Sequence, residues 1–391
     1  MYLFLIVEYK HGVFMKRFFL LWWMGCSLCW SCSDKNMADY QVFKVDPASE
    51  SKESFDRFYH LKEVIPLETT DSSVMGDIMK VISAKDRIFV APWNGKGIFV
   101  FNREGKYLNR IDREGRGPGE YLKISDFMVE EEPEEIVVYA REGKLNFYDW
   151  NGNFLRETKQ NSFISGMERL PDGGCVENYA LCLNSLFQDT AFMVRVTDAG
   201  GKCVKGFFPL PKIQVVLPVM MVTSLYRSGK HCYVAPITEN TIYEYVPEKM
   251  EFMPRYQFDV KGVLLPEVET LTFEDFKRVF IYDYYIFSSE YVGEKTVLTA
   301  AYCGKKREMI YFLGKAGEPD AYVFRSLHDK ENELPLSRYM QHTGFEGDFV
   351  AYNMPLRIKG QNFISETSVG YKLSQELDDE DNPVLFIYGE K

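Results

Sequence analysis

The sequence predicts an all-β fold, a six-bladed β-propeller of four-stranded blades. The first observation is a repeated hairpin: "IFVFNREGKYLNRI" begins at Ile98, "LNFYDWNGNFLRET" at Leu145 and "VRVTDAGGKCVKGF" at Val194. The second is the spacing of 47 and then 49 residues, which is typical of one propeller blade. The third is that two further strands precede the hairpin in the first two repeats, so that each repeat holds four strands.

Each hairpin turn contains Asn or Asp, a residue pair and then Gly. Asx residues tolerate a left-handed backbone and Gly supplies positive φ, so the pattern predicts a tight turn between two strands. Residues 78–84 and 87–93 supply the preceding strands of the first repeat, and residues 124–131 and 135–141 those of the second. We interpret the acidic run "EEEPEE", 130–135, as a solvated turn rather than as a calcium or partner site.

Weaker hairpins begin at Ile242, Ile310 and Leu385 and bring the number of repeats to six. The last two intervals are longer, at 68 and 75 residues, which predicts insertions at 261–284 and 357–383. The first insertion contains "LTFEDFKRVF", a pattern that predicts a short amphipathic helix acting as a packing strut.

The sixth repeat ends without an outer strand of its own. An unassigned alternating strand, Leu61 to Thr70, precedes the first blade. If this strand supplies the missing outer strand, no open sheet edge is left in the sixth blade. We therefore predict that the propeller spans residues 57–391 and that an N-terminal strand closes the ring.

The N-terminal region is typical of an export signal. Lys16 and Arg17 precede an apolar run that is shorter than the ~20 residues of a membrane-spanning helix. The sequence then resembles the lipobox of bacterial lipoproteins and predicts acylation of Cys32, although Cys29 stands where that pattern prefers Leu. We assign 1–32 to the signal, with Met15 a candidate start, and 33–56 to a polar tether. A plain cleaved signal is the alternative.

The composition is that of a folded, acidic protein. A net charge of -11, with 46% hydrophobic and 15% aromatic residues, argues against a disordered or nucleic-acid-binding chain. An acidic surface is also unsuited to binding anionic lipid headgroups, so the lipid anchor is the predicted link to the membrane. The propeller is predicted to be a monomer. Beyond the signal, the cysteines lack metal-site spacing and are predicted to be small buried hydrophobes: Cys175, Cys182, Cys203, Cys232 and Cys303.

Three stretches carry a family resemblance: "EVIPLETTDSSVMGDI" from Glu63, "IDREGRGPGEY" from Ile111 and "DNPVLFIYGEK" from Asp381. With the hairpins, they resemble the six-bladed β-propeller lipoproteins of gut Bacteroidetes, relatives of NHL and TolB-like propellers. The resemblance covers roughly residues 57–391 and implies a cell-envelope, outer-membrane lipoprotein, on either the periplasmic or the surface side. It implies architecture and location rather than a biochemical activity.

The "REGRGPGEY" segment connects blade one to blade two and is predicted to hold Arg116 and Glu120 close to the channel mouth, beside Tyr121. Such a pair can bind a carboxylate or a sugar hydroxyl, or its members can pair with each other. Equivalent loops add aromatic, amide and charged candidates for a polar organic ligand: Trp93, Asn94, Arg141, Glu142, Glu177, Asn178, Tyr179, Tyr352 and Asn353. For each of these residues, the alternative to ligand binding is an ordinary structural role in its loop.

Sequence motifs for catalysis are missing: the chain has no GxSxG, HExxH or Walker-type segment, and its five histidines are scattered. We therefore predict no catalytic residue, metal or cofactor. The function favoured by the sequence is binding of a glycan, peptide or partner protein through the loop-rich face. One alternative is a propeller lyase, hydrolase or lactonase acting at the channel mouth, and another is a structural interaction module like the propeller of TolB.

Overall fold

The computed structural model describes residues 40–159, 164–179, 192–209, 224–236, 239–263, 285–303, 306–336 and 341–391. Within these ranges, six sheets follow one another around a ring and form a six-bladed β-propeller. The predicted fold class is therefore confirmed. None of the described helices is long and apolar enough to cross a bilayer.

Blades one to three each have four antiparallel strands, ordered from the channel to the rim. Blade one comprises Ile78–Ala84, Arg87–Pro92, Ile98–Asn102 and Tyr107–Ile111. Blade two comprises Ile124–Glu130, Glu135–Ala140, Lys144–Asp149 and Phe154–Lys159. Blade three comprises Gly166–Arg169, Cys175–Asn178, Phe192–Thr197 and Cys203–Pro209. The acidic stretch predicted as a turn connects the first two strands of blade two.

Blades four and five repeat the same order. Blade four comprises Ser224–Ser228, His231–Ala235, Thr241–Val246 and Glu251–Val260, and blade five Tyr285–Val292, Thr296–Cys303, Glu308–Lys315 and Tyr322–Phe324. The hydrogen-bonded sheet of blade six comprises Phe349–Asn353, Val384–Glu390 and Tyr59–Pro66. The preceding strand, Gln341–Thr343, pairs in parallel with the inner strand of blade one.

An N-terminal strand closes the ring, as predicted. Tyr59–Pro66 pairs antiparallel with Val384–Glu390 and places Ile65 opposite Leu385. Both side chains are buried, at 2% and 0% exposure. The strand begins two residues before the predicted segment and ends four residues earlier, because the chain turns after Pro66 into the connection to blade one.

The structure differs from the expected tether at residues 33–56. Gln41–Val45 forms a strand parallel to the outer strand of blade four, and Phe43 is fully buried. The amides of Lys44 and Ser51 donate to the carbonyls of Pro319 and Val323, both at 2.8 Å. The segment therefore forms a strap over blades four and five, because its alternating apolar residues find an edge to pair with. The predicted signal and Cys32 lie outside the described residues.

Two helices occupy the predicted insertion of blade six. The helices Pro355–Lys359 and Val369–Glu376 lie between the strands Phe349–Asn353 and Val384–Glu390. The Ser368 hydroxyl caps the second helix by accepting from the Tyr371 amide at 3.2 Å. A short hairpin of His328–Asp329 and Leu334–Pro335 leads into the blade. A 3₁₀ turn, Phe55–Arg57, precedes the closing strand. Residues 264–284, which include most of the other predicted insertion and its helix, lie outside the described residues.

The core lies between the blades, where side chains of adjacent sheets meet. Phe89 of blade one packs edge-on against Trp150 of blade two, with ring centroids 5.2 Å apart. At the closing blade, Phe55 makes the same kind of contact with Tyr388, also at 5.2 Å. Aromatic pairs of this kind fix how each blade sits on its neighbour.

The strand order gives the propeller two faces that carry different kinds of connection. The loop-rich face carries the links between second and third strands and the connections between blades, here 67–77, 93–97, 112–123, 141–143 and 354–383. The short-turn face carries the turns between first and second strands and between third and outer strands. Candidate residues can therefore be assigned to a face from their position in a blade.

Candidate functional site

Neighbouring loops of the loop-rich face are joined by backbone hydrogen bonds. The Trp93 amide donates to the Asp77 carbonyl at 2.9 Å, which ties the loop of blade one to the connection that precedes this blade. The Gly95 carbonyl accepts from the Ile124 amide at 3.0 Å, at the end of the next connection. Trp93, with 42% of its side chain exposed, therefore projects from a loop that is fixed on two sides.

The loop of blade two continues this series. The Arg141 amide donates to the Lys123 carbonyl at 2.8 Å, and the Glu142 carboxylate accepts from the Leu122 amide at 3.0 Å. Arg141 and Leu122 are exposed. Glu142 thus fastens one loop to the next, whereas Arg141 is an exposed residue of the same loop.

The "GRGPGEY" segment lies over the outer half of blade two rather than at the channel mouth. The Tyr148 hydroxyl donates to the Gly119 carbonyl at 2.7 Å, and Lys144 Nζ donates to the Gly117 carbonyl at 3.2 Å. Both side chains come from the third strand of the blade. The expected position of Arg116 and Glu120 is corrected accordingly, because these polar contacts draw the connection toward the rim.

Glu120 holds the segment in shape and does not pair with Arg116. Its carboxylate accepts from the Gly117 amide at 2.7 Å, and a Cβ on Gly115 would lie 2.0 Å from Glu120 Oε2. Arg116 is exposed, and no hydrogen bond or ion pair joins it to another residue of the described chain. Glu120 is therefore a loop-forming residue, and Arg116 is left available to a ligand.

Several other candidates are buried and structural. The Tyr121 hydroxyl donates to the Ile111 carbonyl at 3.0 Å, and both residues lie in the core. Glu177 binds Arg195 at 2.8 Å and accepts from the Tyr179 hydroxyl at 2.7 Å. Tyr179 and its neighbour Asn178 are almost fully buried. These side chains hold blades together and do not reach the face.

The candidates in blade six have the same structural character. The Tyr352 hydroxyl bridges to the backbone of Ile78, 3.2 Å from its nitrogen and 3.3 Å from its oxygen. Asn353 Nδ2 donates to the Pro335 carbonyl.

Asn94 of blade one is exposed, but its side-chain oxygen accepts from the Lys96 amide at 3.1 Å. The predicted set therefore retains Trp93, Arg116 and Arg141 as the members that combine exposure with a side chain suited to binding.

The channel contains an ionic cluster that was not among the candidates predicted from the sequence. Lys80 of blade one lies 3.0 Å from the Asp126 carboxylate of blade two and 3.2 Å from the Glu168 carboxylate of blade three. All three side chains are at most 7% exposed. Asp126 also accepts from the Met167 amide at 2.8 Å. One cation thus joins three successive inner strands.

The shared lysine sets the protonation of this cluster. Burial alone would lower the pKa of Lys80, but the two carboxylates outweigh it and raise the pKa above its usual value. Burial raises the pKa of Glu168, and Lys80 offsets this only in part because Asp126 adds a second negative charge. A polar residue inside the apolar strands "IMKVISA" and "ISDFMVE" was the available signal for the cluster.

A cavity of about 450 Å³ opens at the channel mouth on the short-turn face. Its lining comes from the inner-strand ends of blades one, two and four and from the segment that precedes Phe349, with charged side chains Glu130, Glu131, Arg227, Glu346 and Asp348. Glu130 and Asp348 are already neutralised by Arg169 and Lys62. Within the described ranges, no three His, Cys, Asp or Glu residues are grouped as metal ligands.

Two solved structures are similar to this chain, and the first of them supports its fold. A protein from Bacteroides fragilis, named as a candidate exported protein, is 18% identical with a TM-score of 0.70, over 90% of this chain and 99% of that one. A DUF4221 family member from Bacteroides vulgatus is 8% identical with a TM-score of 0.49, over 85% of this chain and 98% of that one. At these identities the first likeness shows the fold alone.

No curated protein matches this chain. A family model does match, and it covers residues 41–389, which is nearly the whole described propeller and includes the strap strand. A match over more than half of the chain establishes membership. The protein therefore belongs to the family described as "Domain of unknown function (DUF4934)".

Proposed function

We propose that the protein is an exported, lipid-anchored propeller of the outer membrane that binds a glycan, peptide or partner protein through its loop-rich face. The observation that carries this proposal is the series of hydrogen-bonded loops that holds Trp93, Leu122 and Arg141 exposed on one face. Trp and Arg are the residues most enriched at binding hot spots, and loops fixed in advance lose little entropy on binding.

Further exposed apolar side chains on the same face favour a polypeptide ligand over a sugar. Val74, Leu356 and Ile364 are 58%, 60% and 96% exposed, and all three lie in the segments that this face carries, Leu356 within the helix Pro355–Lys359. The connection that carries Val74 is joined to the end of the blade-six insertion, because Asn382 accepts from the Met75 amide at 2.9 Å. Large exposed apolar side chains on one face are a feature of surfaces that contact other proteins.

Location at the cell envelope is supported by the sequence and by one relative. The N-terminal region has a basic head, an apolar run and then Cys32, as in lipoprotein signals. The related propeller from Bacteroides fragilis is named as a candidate exported protein. Acylation of Cys32 would leave a short tether before the strap strand. Radiolabelled palmitate should be incorporated by the wild type and not by Cys32→Ser.

A thermal-shift screen of the purified protein against glycans, peptides and divalent metals tests the binding proposal. We expect a glycan or peptide that stabilises the wild type, with the shift lost in Trp93→Ala and reduced in Arg116→Ala. The control is Val204→Ala, an exposed apolar residue on the outer strand of blade three. Ligands whose shift survives Trp93→Ala would overturn the proposal, as would a complete lack of stabilising glycans and peptides.

A propeller enzyme is the second candidate, and the Lys80, Asp126 and Glu168 cluster favours it. A buried carboxylic acid with a raised pKa beside a second carboxylate is an arrangement used in acid and base catalysis. All three groups are engaged with each other, however, so substrate would have to displace an ion pair. Stabilisation by a metal or small substrate that is lost in Glu168→Gln, but kept in Trp93→Ala, would favour this candidate.

A further inference from the structure

We infer that the cavity on the short-turn face binds a small zwitterion, an amino acid or a short peptide, with Arg227 receiving its carboxylate and Glu346 its ammonium group. We call this cavity the channel-mouth site. It lies on the face opposite to the loops of the proposed function, so the inference goes beyond that function and does not depend on it.

The cavity has the size and the mixed lining of a small-molecule site. Its volume of about 450 Å³ falls within the range of roughly 300–1,000 Å³ that is usual for such sites. Part of its wall is apolar, and it includes Tyr226 and Phe345, each 5% exposed. Gly229 and Gly347 also line the cavity, and a Cβ added to either would meet no atom within 4 Å. The channel-mouth site therefore combines an apolar wall with open space beside the backbone.

Arg227 supplies the cation of the channel-mouth site. It lies near the end of the inner strand Ser224–Ser228 of blade four and lines the cavity. Its Nε donates to the Gly229 carbonyl at 3.0 Å, which holds one edge of the guanidinium. No ion pair joins it to a carboxylate of the described chain. Burial raises the pKa of Glu168, and Lys80 and Arg227 both offset that rise in part, so the charge of Arg227 is felt inside the channel. Its terminal nitrogens are left to a ligand carboxylate.

Glu346 belongs to a turn that contacts on either side of it hold in place. The Tyr291 hydroxyl donates to the Gly347 carbonyl at 2.7 Å, and the Asp348 carboxylate is paired with Lys62. Glu346 itself is exposed, and its carboxylate has no hydrogen bond or ion pair within the residues that the structure describes. A free carboxylate on a fixed turn can bind an ammonium group at a small cost in entropy.

The charges of the lining favour a zwitterion over a simple anion or cation. Two of the four lining carboxylates, Glu130 and Asp348, form ion pairs with cations outside the lining. The charges that remain are Arg227, Glu131 and Glu346. A ligand with only a carboxylate would meet two like charges, and a ligand with only an amine would meet Arg227. A molecule that carries both groups is complementary to both signs, and the apolar wall suits its side chain.

Isothermal titration calorimetry of the purified protein with four probes tests the inference. The probes are the dipeptide alanyl-leucine, its N-acetyl derivative, its C-terminal amide and free leucine. We expect the zwitterionic dipeptide to bind, and each blocked derivative to bind about tenfold or more weakly, because each lacks one charge-assisted interaction. Tighter binding of alanyl-leucine than of leucine would assign a peptide as the ligand, and the reverse order would assign an amino acid.

The test variants are Arg227→Gln and Glu346→Gln, each of which removes one charge and keeps a polar side chain. Arg227→Gln should weaken dipeptide binding by about tenfold and cause no further loss for the amide, which has no carboxylate. Glu346→Gln should do the same for the dipeptide and cause no further loss for the N-acetyl derivative.

The matched controls are Lys249→Gln and Glu248→Gln, exposed residues in a turn of the same face that does not line the cavity. Both controls should leave dipeptide binding unchanged. Thermal melting of each variant establishes that it is folded.

Equal affinities for the dipeptide and its two blocked derivatives would overturn the inference. Undiminished dipeptide binding in Arg227→Gln and Glu346→Gln would overturn it too, as would a lack of binding by both leucine and alanyl-leucine. Trp93→Ala should leave dipeptide binding unchanged, and a loss of binding in that variant would place the ligand on the loop-rich face instead. Dipeptide binding that needs Arg227, together with a screen in which no ligand depends on Trp93, would support the inference while the proposed function fails.

Discussion

Lys80 Nζ lies 3.0 Å from Asp126 Oδ1 inside the channel, where 3% and 6% of these side chains are exposed. Glu168 of blade three approaches the same ammonium group at 3.2 Å. Three successive blades are therefore joined through one buried cation. Removing that cation leaves two carboxylates in the core without their counter-charge, and such losses cost more than the pair itself contributes.

Lys80→Met should lower the free energy of unfolding by about 3–5 kcal/mol, because it breaks a buried ion pair on one side only. Urea unfolding followed by circular dichroism measures the loss. A triple variant that adds Asp126→Asn and Glu168→Gln should recover part of it, since the uncompensated charges are gone. An unchanged unfolding midpoint for Lys80→Met would contradict the role assigned to the cluster.

Stability should depend on pH through Glu168. Its folded pKa is raised above the ordinary value of 4.5, chiefly by burial, so the folded state favours the protonated acid. The stability it contributes is fully present below pH 4.5 and is lost as the pH rises through the folded pKa. Over that pH interval, the free energy of unfolding of the wild type should therefore fall relative to that of Glu168→Gln. A constant difference from pH 4 upward would contradict this assignment.

Gly119 is constrained both by its backbone and by a neighbour. Its φ is +69°, and an added Cβ would lie 2.4 Å from the Phe154 ring. Gly201 has a similar φ of +78° with nothing within 4 Å, so Gly201→Ala measures the backbone effect alone. That effect is about 1–2 kcal/mol, and overpacking should add about 1–3 kcal/mol to it in Gly119→Ala. Equal losses of unfolding free energy in the two variants would contradict the overpacking, because they would show that the loop moves away from Phe154 at little cost.

The repeats made the propeller predictable because each hairpin carries its own turn chemistry. Strands such as Ile78–Ala84 and Arg87–Pro92 agree with the prediction almost to the residue, and counting outer strands identified the closing strand. The strap strand Gln41–Val45 was missed, since five residues with two buried side chains give little periodic signal. Its partner is the outer strand of blade four, and paired residues such as Gln41 and Tyr256 are 215 positions apart in sequence. The pairing therefore has no local cause.

The candidate site was less predictable than the fold. Position in a blade assigned Trp93 and Arg141 to the loop-rich face, but it did not separate exposed side chains from buried ones such as Tyr121 and Glu177. That distinction depends on contacts between blades. Lys80, Asp126 and Glu168 are 46 and 42 residues apart along the chain, close to one blade period, and only the closed ring brings them together.

The measurement that tests the central claim most directly is acrylamide quenching of Trp93 with and without a stabilising ligand. The difference between wild type and Trp93→Phe isolates the Trp93 signal from that of Trp150, which is 2% exposed. We predict that the ligand protects Trp93 from acrylamide. A ligand that stabilises the protein but leaves the quenching of Trp93 unchanged would place binding elsewhere and contradict the account.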